Sequence, residues 1–565
     1  MNAFILCKTL YFISLIFLSL SSSTFAATAI SPTDRDALEL QQKSLLEQAK
    51  QQRLSLENST TLTIPTVTAP TVKDAVCFPI QNIVFHDADA LSTKDRTAIQ
   101  GRYQNRCLDL ATVHNVVRET TNTYLNHGFV TSQAYLQEQD LSDGTLIISV
   151  SEGKIEAIRM EEETPLAIKM AFPGLEGRIL NLRDIEQGME QLNRLPSRQV
   201  TIDIQPGKQA GSSIVYLKRT THSRPVTLSI STDNSGQKST GREQLSTHLT
   251  FDNPLQLADR WWLTASRDSA FSHNYGSKAL SGGMSLPYGY WTLGYQYAWN
   301  DFFQPIPIGS SAYRYEGQSN THRLSLNRTL YRDGKQKLAL DGALSRRRTE
   351  NRMAGGRLEV SSPTVSSASL GLSYSTTLVG GYFTLNPMLS HGLRSWGATD
   401  DTKENSGLPR SEFRKFSVSS SYFYPLTPSL YFLTSLYGQT TPDNLYTSER
   451  VSLGGEYSVR GFKEQTLTGN RGFYWRNELN WQFTTLPFLG DIAFTTALDS
   501  GWIAGKAGKV DGGNMTGASV GLSASSRWVS QSVSLGVPLH FPDDLYPDNA
   551  VVYWQVSLPV TALFD

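Results

Sequence analysis

Trp291-Thr292-Leu293-Gly294-Tyr295-Gln296-Tyr297-Ala298-Trp299 puts an aromatic residue or leucine at every odd position and a small or polar residue at every even one. A strand has a period of two, so this run presents one apolar, aromatic face and one small, polar face. The alternation returns at Leu338, Leu340 and Leu344 against Ala339, Asp341 and Ala343, just after the tight-turn sequence Arg332-Asp333-Gly334-Lys335. From about residue 220 onward helical periodicity is gone, and Gly, Ser, Thr, Tyr, Trp and Leu dominate. A soluble β-sandwich would show the same alternation. The number of strands, the aromatics suited to a bilayer interface and an export signal favour a membrane barrel, with its apolar face toward lipid and its polar face toward a lumen. Shared among 16 strands, residues 222–565 allow roughly 21 residues per strand and connection. That is room for ~10-residue spans, short turns and some long loops.

At 565 residues the chain is too long for one ordinary core, and five further regions precede the barrel. Residues 1–29 read as a secretory signal peptide: Lys8, an apolar run from Tyr11 to Leu20, then the small-residue exits Thr24-Phe25-Ala26 and Ala27-Thr28-Ala29. The run is shorter than the ~20 residues a spanning helix needs, and Cys7 lies before it rather than at its exit. Ser31-Pro32-Thr33-Asp34 is a helix start, with a serine cap, proline in the first turn and an acid three residues after the cap. The helix it opens is expected over 31–54. Its apolar stripe is thin, mainly Leu38, Leu45 and Ala49, amid Gln, Lys and Glu, which suits a water-filled lumen or a solvated extension rather than a core. The linker 55–76 follows, and its Thr/Pro-rich stretch Glu57 to Ala75 could reach ~60 Å when extended, as a tether.

Residues 77–154 and 155–220 read as two similar small α+β domains in tandem. In the first, Val113, Val116, Val117, Tyr124 and Leu125 follow helical spacing up to Gly128, and Leu146, Ile148 and Val150 alternate as a strand ending at Glu152-Gly153. In the second, Ile185, Met189 and Leu192 mark a helix, Val200, Ile202 and Ile204 a strand, and Ile214 to Leu217 another. Beyond the signal only Cys77 and Cys107 remain, an even pair that in an exported chain is most simply a disulfide. The alternative of a thiol or metal ligand lacks a His or Cys partner at ligand spacing. With 51 basic and 51 acidic residues, nothing marks a nucleic-acid surface.

Together these motifs resemble the TpsB family, the outer-membrane transporters of two-partner secretion that export haemolysins, haemagglutinins and contact-dependent inhibition toxins. Asp233-Asn234-Ser235-Gly236 with Thr240-Gly241-Arg242 resembles the family's first barrel hairpin, and Asp252-Asn253-Pro254-Leu255 with Asp259 its next turn. Cys77, Cys107-Leu108, Asn126-His127-Gly128-Phe129 and Glu152-Gly153 resemble its first polypeptide-transport-associated (POTRA) domain. Val459-Arg460-Gly461-Phe462 matches the tip of the loop that in this family folds back into the pore. The resemblance spans essentially the whole mature chain.

It implies a 16-stranded antiparallel outer-membrane barrel at 221–565 with two periplasmic POTRA domains and a plug helix. It also implies that Arg460 pairs in the lumen with Asp499 of Ala497-Leu498-Asp499-Ser500-Gly501. A guanidinium and a carboxylate in a confined lumen suit charge-assisted bidentate bonds, Gly461 opens backbone conformations closed to other residues, and Phe462 can wedge against the wall. The implied partners are a large exoprotein, outer-membrane lipid and the barrel-assembly machinery, with a monomer and no cofactor or metal expected. Family barrels usually end in an aromatic residue; here Phe564 is followed by Asp565.

Signals for enzymatic work are weak. Gly517-Ala518-Ser519-Val520-Gly521 fits a serine-hydrolase elbow, but no Asp or Glu lies between Ser519 and His540 and the alternation suits a barrel strand. Gly501-Trp502-Ile503-Ala504-Gly505-Lys506 is one residue short of a phosphate loop and lacks its Ser/Thr. Arg346-Arg347-Arg348 reads as lumen or loop charge before it reads as an anion site. The expected function is ATP-independent export of one large partner, with a passive porin or a barrel-assembly factor as alternatives.

Overall fold

The computed structural model describes residues 30–57, 76–160, 165–221, 223–401, 408–505 and 512–560. The expected signal peptide, most of the tether and the terminal Phe564-Asp565 lie outside them.

The first helix, α1 (Pro32–Glu57), starts where the capping pattern places it, with the Ser31 hydroxyl accepting the Asp34 amide at 3.3 Å. It runs to Glu57, past the expected end near residue 54, because Leu56 is buried and Ser55 hydrogen-bonds outside the helix. At 1.5 Å per residue its 26 residues span about 39 Å, more than the ~30 Å hydrocarbon layer.

The first small domain comprises β1 (Cys77–Ile80), β2 (Asn82–His86), α2 (Thr93–Tyr103), β3 (Arg106–Asp109), α3 (Leu110–Asn126), β4 (Gln133–Tyr135) and β5 (Thr145–Ser151). Asp109 caps α3 through the Thr112 amide, and Gly128 at φ +90° turns the chain away after its end. Val113, Val116 and Tyr124 of α3 pack on Ile83, Leu146, Ile148 and Val150 of a sheet ordered β2-β5-β4. β1 and β3 form a separate ladder stapled by the Cys77–Cys107 disulfide, Cα atoms 5.4 Å apart.

The second domain repeats the plan with β6 (Lys154–Met160), α4 (Pro165–Ala171), α5 (Leu182–Asn193), β7 (Val200–Pro206) and β8 (Ser212–Arg219). In each sheet the central strand has one parallel and one antiparallel neighbour, β5 between β2 and β4, β8 between β6 and β7. Among the described residues no strand pairs with the outer edge of β7.

The remaining chain forms the barrel. Its first strands are β9 (Val226–Asp233), β10 (Gln244–Asp252), β11 (Arg260–Asp268), β12 (Gly276–Tyr288), β13 (Trp291–Ile308), β14 (Ser311–Arg332) and β15 (Gln336–Met353). After the two-residue β16 (Gly356–Arg357) come β17 (Thr364–Leu378), β18 (Gly381–Leu393), β19 (Arg414–Thr427) and β20 (Leu430–Thr440). A loop carrying β21 (Val451–Leu453) and β22 (Leu467–Gly469) precedes β23 (Gly472–Leu486), β24 (Gly490–Ile503), β25 (Gly513–Ser525), β26 (Ser530–His540) and β27 (Val551–Pro559). Setting aside β16, β21 and β22, the wall is a closed antiparallel circuit of sixteen strands. It is shut by a short β27–β9 seam from Gln555↔Asp233 to Pro559↔Ser229. Closure removes the unpaired edges that a sheet in lipid could not tolerate. Trp291 and Tyr295 face outward on β13, whereas Thr292 meets Gln191 of α5, and the turn Arg332–Gln336 closes through the Asp333 amide and Gln336 carbonyl.

The two-residue alternation also decides the minor motifs. Ser519 lies mid-strand in β25, which is followed by the strand β26, and Gly501 lies in β24. Of the three arginines Arg346–Arg348, the middle one points inward and donates to the Thr33 carbonyl at the start of α1.

Candidate functional site

Two elements fill the lumen. α1 lies along the inner wall, donating Gln41 to the Tyr437 hydroxyl, Gln42 to the Ser452 carbonyl at 2.9 Å, Gln48 to Ser373 and Gln52 to the Asn386 side-chain oxygen at 2.7 Å. These are neutral contacts, each worth about 1 kcal/mol net. At its start Arg347 holds Asp34, and at its end the Ser55 hydroxyl donates to Glu190 of α5 at 2.8 Å. One side of its polar surface is therefore used by the wall and the pore loop, while Lys43, Ser44, Glu47, Lys50 and Gln51 stay exposed.

The second element is the loop between β20 and β23. Its β21–β22 pair, Val451↔Gly469 to Leu453↔Leu467, forms a stem, and the tip folds back against the wall. Val451, Leu453, Val459, Phe462 and Leu467 bury with Tyr437, Tyr474, Ile503 and Met515 of the barrel. Val459 and Phe462 are fully inaccessible. Burial of each such side chain stabilises the docked tip by roughly 1.5–3 kcal/mol. Phe462 meets the ring of Phe541 edge-on at 6.1 Å, and its carbonyl accepts the Tyr553 hydroxyl at 3.1 Å.

Arg460 grips the wall between these two apolar anchors. Its Nε and Nη2 donate to the two oxygens of Asp499 on β24 at 2.6 and 2.8 Å, and its backbone amide adds a third bond at 3.1 Å. Glu478 on β23 approaches Nη2 at 3.1 Å and also accepts from Arg476 at 2.7 Å, while Arg476 donates to the Glu456 carbonyl of the loop. Asp499 has no exposed surface, and Arg460 is 7% exposed. Burial alone would draw the Arg460 proton affinity down, but the Asp499 hydrogen bonds and the Glu478 charge outweigh it and hold the guanidinium above its ordinary range. The guanidinium therefore stays charged. The arrangement can hold a loop, and it can release it.

Close approach of the tip requires three glycines. Gly461 sits at φ +98°, and a Cβ there would lie 2.5 Å from the Val537 carbonyl oxygen. A Cβ at Gly517 would collide with the Arg460 carbonyl, and one at Gly536 would lie 2.7 Å from the Gly461 nitrogen. α1 touches the same loop through Gln42, Leu45 and Lys43, the last 5.8 Å from the Tyr457 ring centre.

The structure thus brings Val459, Arg460, Gly461, Phe462 and Asp499 together in the lumen, and places Cys77 and Cys107 in the first small domain. Sequence reasoning did not single out Glu478, Arg476, Gly536 or Tyr553, and it met Gly517 only in the hydrolase-like motif and not as a neighbour of the loop tip. Arg476 and Glu478 carried a signal, since opposite charges two apart on a strand share a face. Among the described residues no His/Cys/Asp/Glu cluster could hold a metal ion.

Residues 211–524 match the family model described as haemolysin secretion/activation protein ShlB/FhaC/HecB. Residues 78–153 match a ShlB-type POTRA domain and 154–206 a second POTRA domain. The outer membrane transporter CdiB of Dickeya dadantii is 43% identical over 95% of this chain and 96% of its own length. The hemolysin transporter protein ShlB of Serratia marcescens is 33% identical over 82% of both chains. The solved structure of CdiB from Escherichia coli superposes with a TM-score of 0.91 at 42% identity, covering 94% of this chain and 100% of that one.

Proposed function

Since the chain belongs to the haemolysin secretion/activation family of ShlB, FhaC and HecB, an outer membrane transporter with its POTRA domains in the periplasm, we propose that it exports one large exoprotein to the cell surface with Arg460 and Asp499 as the latch of its pore loop. The partner is a haemolysin, an adhesin or a contact-dependent inhibition toxin. The observation that carries this reading is the filled lumen: a polar helix and a folded-back loop block the barrel through contacts that can be undone without covalent chemistry. A passive porin has no use for two POTRA domains or for a buried loop clamp, and the family match does not favour it or an assembly factor.

The functional division is a signal at 1–29, a plug at 31–54, a tether at 55–76, POTRA domains at 77–154 and 155–220, and a barrel at 221–565. The open edge of β7 offers unpaired backbone groups to an extended secretion segment, which would grip by adding a strand. The plug then leaves the lumen, and folding of the partner outside biases movement outward without ATP. The barrel works as a monomer, inserted by the barrel-assembly machinery into outer-membrane lipid, and performs no catalysis.

Secretion of the cognate exoprotein by Arg460→Ala and Asp499→Ala cells, with single-channel conductance of the protein with and without residues 31–53, tests this. Export should fall sharply while the barrel still inserts, and conductance should rise when the helix is removed. Intact export by inserted variants would refute the latch, and unchanged conductance would refute the plug.

A further inference from the structure

The outer wall carries a constellation that takes no part in holding the plug or the docked loop tip. Leu370, Leu389 and Phe416 form one row across β17, β18 and β19 through the pairs Leu370↔Leu389 and Leu389↔Phe416, and all three are exposed. Two residues further along the same outward face stand His391 and Arg414, themselves cross-strand partners. Lys415, between Arg414 and Phe416, points the other way and meets Glu449 in the lumen at 2.6 Å, which fixes the parity. Arg471, immediately before β23, completes the group, and all of these residues line one cleft of about 910 Å³. The cleft lies at the extracellular end, because α5 of the second POTRA domain docks against the opposite turns at Gly289 and Arg332.

The apolar row alone would be ordinary lipid-facing surface; the cations above it are not. Arg471 is oriented by a bond from its Nε to the Thr441 carbonyl at 2.7 Å, and among the described residues no carboxylate forms an ion pair with it. Asp443 accepts the Arg414 amide at 2.7 Å and lies 3.9 Å from the Arg414 Nε, too loosely to cover a side chain that is 74% exposed. Two guanidiniums and an imidazole thus face the interface directly above a leucine-phenylalanine row. This pattern fits an amphiphile with acyl chains in the outer leaflet and a phosphate at its surface.

We propose that this cleft binds lipid A, the phosphorylated acyl anchor of lipopolysaccharide, with a phosphate held by Arg414, Arg471 and His391 and acyl chains lying over Leu370, Leu389 and Phe416. The site depends on the outer-membrane location and is independent of the export mechanism. A lipid seated there would brace the wall beside β19 and β20, next to the root of the pore loop.

The test is native mass spectrometry of the delipidated full-length protein titrated with diphosphoryl lipid A, dephosphorylated lipid A, phosphatidylglycerol or inorganic phosphate. One diphosphoryl lipid A should bind per chain, at least tenfold more tightly than the dephosphorylated form or phosphatidylglycerol. Arg414→Ala and Arg414→Ala/Arg471→Ala should remove that preference, while heat-modifiable gel migration shows the barrel folded. Should the double variant misfold, Arg414→Ala alone decides, since its guanidinium makes no close ion pair. Equal affinity in the variants, equal binding of phosphatidylglycerol, or competition by inorganic phosphate at equal concentration would each overturn the assignment.

Discussion

Removing Arg460 should cost more than removing Asp499, although the two are partners in one bond. Arg460→Ala leaves Asp499 with no exposed surface and without its two guanidinium donors, a buried charge held only by the backbone amide of residue 460, and breaking such a pair costs about 3–5 kcal/mol. Asp499→Ala leaves Arg460 beside Glu478 at 3.1 Å, so the guanidinium keeps an anionic partner and the cost should be nearer 2 kcal/mol. At about 1.4 kcal/mol per factor of ten, Arg460→Ala raises the undocked population of the loop tip by roughly 10² to 10⁴-fold, and Asp499→Ala by roughly 30-fold. A cysteine replacing the fully buried Ser458 reports this, since its labelling by a water-soluble maleimide tracks the undocked fraction when docking is fast. The double variant should label no faster than Arg460→Ala alone, because the second substitution removes the stranded charge. Labelling of Arg460→Ala at the wild-type rate, or strictly additive costs in the double variant, would refute the clamp.

Gly461→Ala should displace the tip through both its φ of +98° and the Val537 carbonyl, and Gly517→Ala should do so through the Arg460 carbonyl; each should expose Lys463 to trypsin in the inserted barrel. Cys77→Ser should destabilise the first POTRA domain by about 3–4 kcal/mol in the chain-entropy account, read as a lower chemical-denaturation midpoint for that domain with the barrel intact. Burial alone would raise the Glu190 carboxyl, but Lys337 at 2.5 Å and Arg332 at 2.9 Å overcome it and depress its pKa to about 2. A depressed carboxylate stabilises the folded joint fully above its unfolded pKa of about 4.3 and loses that contribution as pH falls toward 2. Crosslinking of α5 to the β14–β15 turn should therefore be constant from pH 7.5 to 5 and weaken below 4, with the pH dependence absent in Glu190→Gln.

What the sequence made legible was repetition against a single face. Nine alternating residues at 291–299 specify a strand with two solvents, and Val113, Val116 and Tyr124 specify a helix with one buried stripe, because each period is set by the backbone. α2 escaped notice for the same reason, since Ile99 is its one buried residue and one residue has no period. β1, β3 and β4, at three or four residues, are likewise too short to show alternation. The last turn of α1 also lay beyond what local pattern shows, because Ser55 and Leu56 are ordered by contacts with the folded protein and not by the helix itself.

The latch was legible only in part, and geometry explains which part. Alternation tells which wall a residue faces but not its height on that wall or which strands stand beside the loop. Asp499 was reached through the family resemblance at the tip, whereas Glu478, Gly517 and Gly536 become neighbours of Arg460 only once the circuit closes and the loop turns inward. The triplet Arg346–Arg348 marks where the boundary falls. Strand parity alone sends Arg347 to the face opposite its neighbours, but only the presence of α1 in the lumen turns that inward charge into a bond with the Thr33 carbonyl. A charge inside a barrel is therefore readable from sequence as a demand for a partner, and the partner must be supplied by whatever fills the pore.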